Sequence, residues 1–91
     1  MPDVHHQTVF FQGHVQGVGF RYCAMEAARG YDVTGFVQNL PDGRVLLEVE
    51  GEPAEVLAFV NSVEERMRHF IRKTDRLERS RPAQFSEFTI R

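Results

Sequence analysis

Three glycines fall within seven residues in Gly13-His14-Val15-Gln16-Gly17-Val18-Gly19, and Phe20-Arg21 follow at once. An apolar run precedes this stretch and a helical pattern succeeds it. Glycine lets backbone N–H groups turn toward a common point, and a helix N-terminus adds the positive end of its dipole. A guanidinium at Arg21 closes such a site. The combination is an anion cradle, and a phosphate group is its natural guest. Arg21 falls in the first helical turn, where a cation opposes the dipole and therefore wants an anion. Asn39, at the end of a second strand, is the other candidate for chemistry. Taken singly, the glycines could be turn residues, Arg21 a surface ion-pair partner and Asn39 part of a turn.

These residues need elements to hold them. Thr8-Val9-Phe10-Phe11-Gln12 reads as a buried strand, because β-branched and aromatic residues dominate and Gly13 ends it. Phe20, Cys23, Ala24, Ala27 and Ala28 recur at i, i+3, i+4, i+7 and i+8, which is one helical face. Gly30 suits the position after that helix. Val33 to Asn39 is a second strand, and Leu40-Pro41-Asp42-Gly43 a tight turn. Val45, Leu47 and Val49 alternate with Arg44, Leu46, Glu48 and Glu50 in a half-buried strand, hairpinned to the second. Pro53 suits the first turn of a second helix, whose apolar face is Val56, Phe59, Val60, Val63 and Met67.

Beyond Met67 the pattern weakens. A strand is expected around Ile71–Leu77, although five Arg and Lys residues occur from Arg68 to Arg79. Pro82 marks a loop, and Phe85, Phe88 and Ile90 close the chain in a last strand, with an irregularity expected at Glu87. The order is β-α-β-β-α-β with a short extra strand near the C-terminus. This is the α+β, ferredoxin-like split βαβ pattern, a mostly antiparallel sheet with both helices on one face and the other face open.

The chain has 91 residues, which makes one domain, residues 1–91. With 11 Lys and Arg against 13 Asp and Glu, the net charge is −2, which argues against a nucleic-acid binder. A single cysteine, Cys23, excludes an internal disulfide and a Cys-pair metal site. No apolar run approaches the roughly 18 residues of a membrane span, and the N-terminus lacks a signal-peptide core. A cytoplasmic protein with no membrane partner is expected.

Two stretches resemble a known family. Gly13-His14-Val15-Gln16-Gly17-Val18-Gly19-Phe20-Arg21 is similar to the first signature of acylphosphatases. Gly35-Phe36-Val37-Gln38-Asn39-Leu40-Pro41-Asp42-Gly43-Arg44-Val45 resembles the second, and Phe85-Ser86-Glu87-Phe88-Thr89-Ile90-Arg91 the C-terminal strand. The resemblance implies a hydrolase that splits acyl phosphates into carboxylate and inorganic phosphate, with no metal and no cofactor. It places the phosphate-binding arginine on Arg21, the cradle on Gln16, Gly17, Val18, Gly19 and Phe20, and the water-orienting asparagine on Asn39. Asn39 has both an acceptor and a donor with which to hold water. The stretch Arg66-Met67-Arg68-His69-Phe70-Ile71-Arg72-Lys73-Thr74 departs from the small Gly/Pro-containing loop usual in the family. A monomer is expected.

Other residues have plainer readings. His14 is either at the mouth of the site or an exposed strand-end histidine. His5-His6 read as a frayed terminus, with no carboxylate or cysteine grouped with them to bind metal. Cys23 reads as core, and the basic run Arg66 to Arg81 as a solvated face. Two competing functions stand beside the hydrolase. One is a non-catalytic binding module, since Gly17-Val18-Gly19-Phe20 superficially resembles the Gly-aromatic run of RNA-recognition motifs. The other is a carbamoyl-phosphate-handling domain, since the N-terminal domain of hydrogenase-maturation carbamoyltransferases is similar too. The chain's end at Arg91 and its single cysteine favour the free-standing enzyme.

Overall fold

The structure is a computed structural model and describes residues 2–91. Strand β1 (Asp3–Gly13) leads into helix α1 (Phe20–Ala28), followed by β2 (Val33–Asn39), β3 (Val45–Gly51), α2 (Pro53–Met67), β4 (Ile71–Pro82) and β5 (Phe88–Ile90). The five strands form one sheet in the order β4-β1-β3-β2-β5. Every neighbouring pair is antiparallel except β2 with β5, which is parallel. This is the expected α+β, ferredoxin-like arrangement.

The period-2 pattern of the strands and the helical faces meet in one core. Val9 and Phe11 of β1 and Val45, Leu47 and Val49 of β3 are fully buried against Ala24 and Ala27 of α1 and Val56, Phe59, Val60 and Val63 of α2. Burying each such valine, leucine or phenylalanine contributes about 1.5–3 kcal/mol. Phe20, the first residue of α1, lays its ring 4.9 Å from that of Phe11 and so pins the helix start to the sheet.

One sheet edge collects the residues singled out above. Phe11 and Asn39 both pair with Val45, so β1 and β2 flank β3 and point the same way. The chain leaves both strands at the same edge. There β1 runs into the glycine loop and β2 ends on Asn39.

Three expectations need correction. First, β1 begins at Asp3 rather than Thr8, and His5-His6 are not a frayed end. They pair with β3 on one side and β4 on the other, because β1 is an interior strand from His5 to Phe11. His6 is fully buried and shares a 3.0 Å hydrogen bond with Glu48. Second, β4 extends to Pro82 and spans 12 residues. It is an edge strand, so Pro82 leaves no ladder bond unmade, and its exposed Arg and Lys residues discourage pairing with another sheet. Third, the far face of the sheet is not fully open. Phe85 does not enter the last strand. It crosses that face, its ring 5.7 Å from Phe36, while the buried Glu50 carboxylate accepts the amide N–H groups of Gln84 and Phe85 at 2.6 and 2.7 Å.

Burial pushes the His6 pKa below its ordinary 6.5, although the bond to Glu48 opposes the shift. Folded His6 therefore resists a proton that the unfolded chain accepts, and stability falls as pH drops from about 6.5 toward the depressed folded value. The Tm of His6→Gln should fall less steeply than that of the parent between about pH 7 and about pH 5.5, measured by thermal denaturation. Parallel slopes would mean that His6 does not carry this pH dependence.

Candidate phosphate site

The glycine loop runs from the end of β1 to the start of α1. Gly17 and Gly19 both have φ of +78°, in the left-handed region. A Cβ at either position would meet no atom within 4 Å, so the requirement is for backbone conformation and not for space. An ordinary residue there would cost about 1–2 kcal/mol. Gly19 is the N-cap of α1 and offers no side-chain cap, and the first turn of α1 contains no acidic residue. The helix therefore presents its first amides, with the positive dipole end, to whatever lies in front of it. The amides of Gly17, Val18 and Gly19 take no part in any main-chain hydrogen bond between described residues.

In front of this loop is a cavity of about 250 Å³, lined by Val15, Gly17, Gly19, Phe20, Arg21, Tyr22, Asn39 and Ile90. Arg21, in the first turn of α1, is half-buried, and its Nη1 donates to the main-chain oxygen of Arg91 at 3.1 Å. Among the described residues no side-chain carboxylate lies within ion-pair distance of it. Asn39 reaches the same cavity from the end of β2. Its Oδ1 is buried and has no hydrogen-bond partner. A buried amide oxygen without a partner is costly, and a water is the ordinary remedy.

Gln16 is expected in the cradle through its main-chain amide, and its side chain serves elsewhere. It does not line the cavity. Its Nε2 donates to the carbonyls of Leu40 and Arg44 at 2.8 and 3.0 Å, so the side chain braces the glycine loop against the turn that follows Asn39. That turn is itself tight: Gly43 donates to the Leu40 carbonyl at 3.1 Å and Leu40 to the Arg44 carbonyl at 2.8 Å. Asp42 accepts the Arg44 amide N–H and its Nε, and the amide bond first of all holds the Asp42 carboxyl below its ordinary pKa. Val18 likewise does not line the cavity and packs against the core. Cys23 is half-buried beside the core, and His14 is exposed.

Four contributors were absent from the sequence reading, one of them the buried Val15. Tyr22 and Ile90 line the cavity and are both exposed, and the main chain of Arg91 meets Arg21. Adjacency to Arg21 in the first helical turn was a usable signal for Tyr22. For Ile90 and Arg91 no local signal exists, since they arrive through the parallel pairing of β5 with β2. No group of three or more His, Cys, Asp or Glu residues placed to hold a metal ion occurs among the described residues.

The acylphosphatase family profile matches residues 7–90. An acylphosphatase of Oceanobacillus iheyensis is 46% identical over 70 residues, which is 77% of each chain. The chain belongs to the acylphosphatase family. The crystal structure of acylphosphatase from Bacillus subtilis superposes with a TM-score of 0.84 at 27% identity, covering 94% of this chain and 97% of that one. Full-length HypF in its phosphate- and nucleotide-bound form contains the same fold, with a TM-score of 0.81 at 29% identity over 99% of this chain but 12% of HypF. The acylphosphatase fold survives the departure after Met67. There α2 ends, Phe70 donates to the Met67 carbonyl at 2.9 Å, and β4 starts at Ile71.

The Gln16 brace joins the two halves of this acylphosphatase site. Gln16→Ala removes the second donor from two carbonyls that keep their main-chain partners, and should destabilise the fold by about 0.5–1.5 kcal/mol. It should also lower kcat by up to about 10²-fold through misplacement of Asn39. Inorganic phosphate should still inhibit competitively with little change. Thermal denaturation and steady-state kinetics with phosphate as inhibitor check this, and an unaltered kcat would show that the brace is dispensable.

Proposed function

We propose that this acylphosphatase-family hydrolase binds the phosphoryl group of an acyl phosphate in the amides from Gly17 to Phe20 and the guanidinium of Arg21, and attacks it with a water held by Asn39. The observation that carries the reading is that Asn39, whose side-chain oxygen has no hydrogen-bond partner in the protein, lines the same cavity as Gly17, Gly19 and Arg21.

The chemistry asks little covalent work of the protein. Phosphoryl transfer needs in-line positioning and neutralisation of charge on the equatorial oxygens. Arg21 supplies two parallel N–H donors, which lysine cannot. The loop amides supply further donors that need no reorganisation during reaction. The water donates one O–H to Asn39 Oδ1, and its oxygen forms a bond to phosphorus as the bond from phosphorus to the acyl oxygen breaks. Carboxylate leaves with the electron pair. Asn39 is too weak a base to hold the water's proton, so a phosphoryl oxygen takes it. Val15 and Phe20 are buried and form the dry floor. The exposed Tyr22 and Ile90 stand at the rim.

All these groups come from one chain, which supports action as a monomer, and a cytoplasmic setting belongs to the same proposal. No helix among the described residues is long and apolar enough to cross a membrane. A binding module without catalysis would use the loop and Arg21 but gives no role to the bare Asn39 oxygen.

Four measurements test the reading. Arg21→Lys should lower kcat/KM by about 10³-fold or more and weaken phosphate inhibition, because the guanidinium meets the charge in both ground and transition states. Asn39→Ala should lower kcat by about 10²–10³-fold while phosphate inhibition persists. Loss of phosphate binding in Asn39→Ala with turnover retained would reverse the assignment. Hydrolysis should also survive complete chelation. Benzoyl phosphate should turn over and glycerol phosphate hardly at all, since among the described residues no carboxyl or imidazole group lines the cavity to protonate an alkoxide leaving group. Comparable efficiencies on the two substrates would contradict the mechanism.

A further inference from the structure

On the other side of β1 lies a second cavity of about 410 Å³, lined by Gln12, Gly13, His14, Arg72 and Lys73. Its walls include two cations and a histidine, and no carboxylate. Arg72 has no side-chain carboxylate within ion-pair distance among the described residues, and Lys73 meets only Asp75, at 3.9 Å. Both cations come from the stretch after Met67 that departs from the family's usual small loop.

The place of this cavity relative to the phosphate site is set by tight contacts. The Gly13 φ is +135°, and a Cβ there would overlap the Phe70 carbonyl oxygen and approach the Arg72 amide nitrogen to 2.8 Å. The His14 amide donates to the same Phe70 carbonyl at 2.9 Å. The register between β1 and β4 shifts at this point, with Gln12 opposite Lys73 and Gly13 opposite Ile71. The start of β4 is thus pressed onto the residues that enter the glycine loop. Val15 lines the phosphate cavity and its chain neighbour His14 lines the second one.

The sheet order then relates the cations to the reaction axis. Asn39 is on β2 and Arg72 and Lys73 are on β4, and β3 and then β1 with its loop stand between them. In-line displacement puts the leaving oxygen opposite the attacking water. A water held on the β2 side sends the acyl group away from β2, toward β4 and the second cavity.

We infer that the cavity formed by His14, Arg72 and Lys73 is an acyl-group subsite that selects acyl phosphates whose acyl portion carries a second negative charge. The inference rests on the catalytic reading above and names its substrate class. The subsite recognises charge by two exposed cations, so it acts on affinity more than on the chemical step and weakens with salt.

The test compares 4-carboxybenzoyl phosphate with benzoyl phosphate, whose acyl groups differ by one rigidly held carboxylate that cannot reach its own acyl–phosphate anhydride. The parent protein at low ionic strength should prefer the carboxylated substrate by about 3- to 10-fold in kcat/KM, as expected for two exposed ion pairs. The difference should fall in KM. In Arg72→Gln/Lys73→Gln that ratio should drop to near one, and about 0.5 M salt should do the same to the parent. A ratio near one in the parent would overturn the inference while leaving the catalytic reading in place. So would an equal loss on both substrates in the double variant, which would reveal general attraction of phosphates and no reading of the acyl group. Failure to hydrolyse benzoyl phosphate at all would overturn the catalytic reading, and the inference with it.

Discussion

The site depends on keeping three consecutive amides, Gly17 to Gly19, free of the protein's own carbonyls. Folded chains rarely leave main-chain donors unpaired, so the local geometry must enforce it. Two left-handed glycines do so by turning the loop back on itself. The loop is short and anchored at both ends. The His14 amide is tied to Phe70 at one end, and Phe20 lies against Phe11 at the other. Between those anchors the loop has little freedom to rotate its amides toward an internal acceptor. In the proposed mechanism an anion completes the hydrogen bonding that the fold withholds, and Arg21, which opposes the helix dipole, calls for the same charge.

The sheet turns this local device into a site. β1 and β2 flank β3 and point the same way, so the loop and Asn39 reach one edge. β5 lies parallel to β2 and ends at that edge too, bringing Ile90 to the rim and the Arg91 main chain to Arg21. The C-terminal segment is held on the far face by the Glu50 carboxylate, and the Arg91 guanidinium lies 3.9 Å over the Phe36 ring. A buried carboxylate on a sheet face distant from the phosphate cavity thus helps set the position of the last strand.

What could be read from the sequence was local. The glycines, the helical stripe from Phe20 to Ala28 and the alternation of Val45, Leu47 and Val49 are short-range patterns, and each element formed where its pattern lay. Arg21 and Asn39 were legible because both stand inside long contiguous signatures. What escaped depends on partners far along the chain. His6 read as a loose end because its acceptor, Glu48, is 42 residues away. Gln16 read as part of the cradle, yet its side chain serves carbonyls 24 and 28 residues on. The path of Phe85 across the far face follows from Glu50, whose two backbone donors no periodicity announces. Charge density after Met67 obscured β4, because an exposed edge strand has no need of the apolar alternation by which strands are recognised.

The central claim is that the glycine loop and Arg21 together form an anion site. It is tested most directly by the structure of a crystal soaked in inorganic phosphate. The anion should lie in the cavity beside Asn39, within hydrogen-bond distance of amides from Gly17 to Phe20 and bidentate to the Arg21 guanidinium. The Arg91 main-chain oxygen would then share or yield its donor. An ordered phosphate elsewhere on the protein, with this loop empty at high phosphate concentration, would contradict the account.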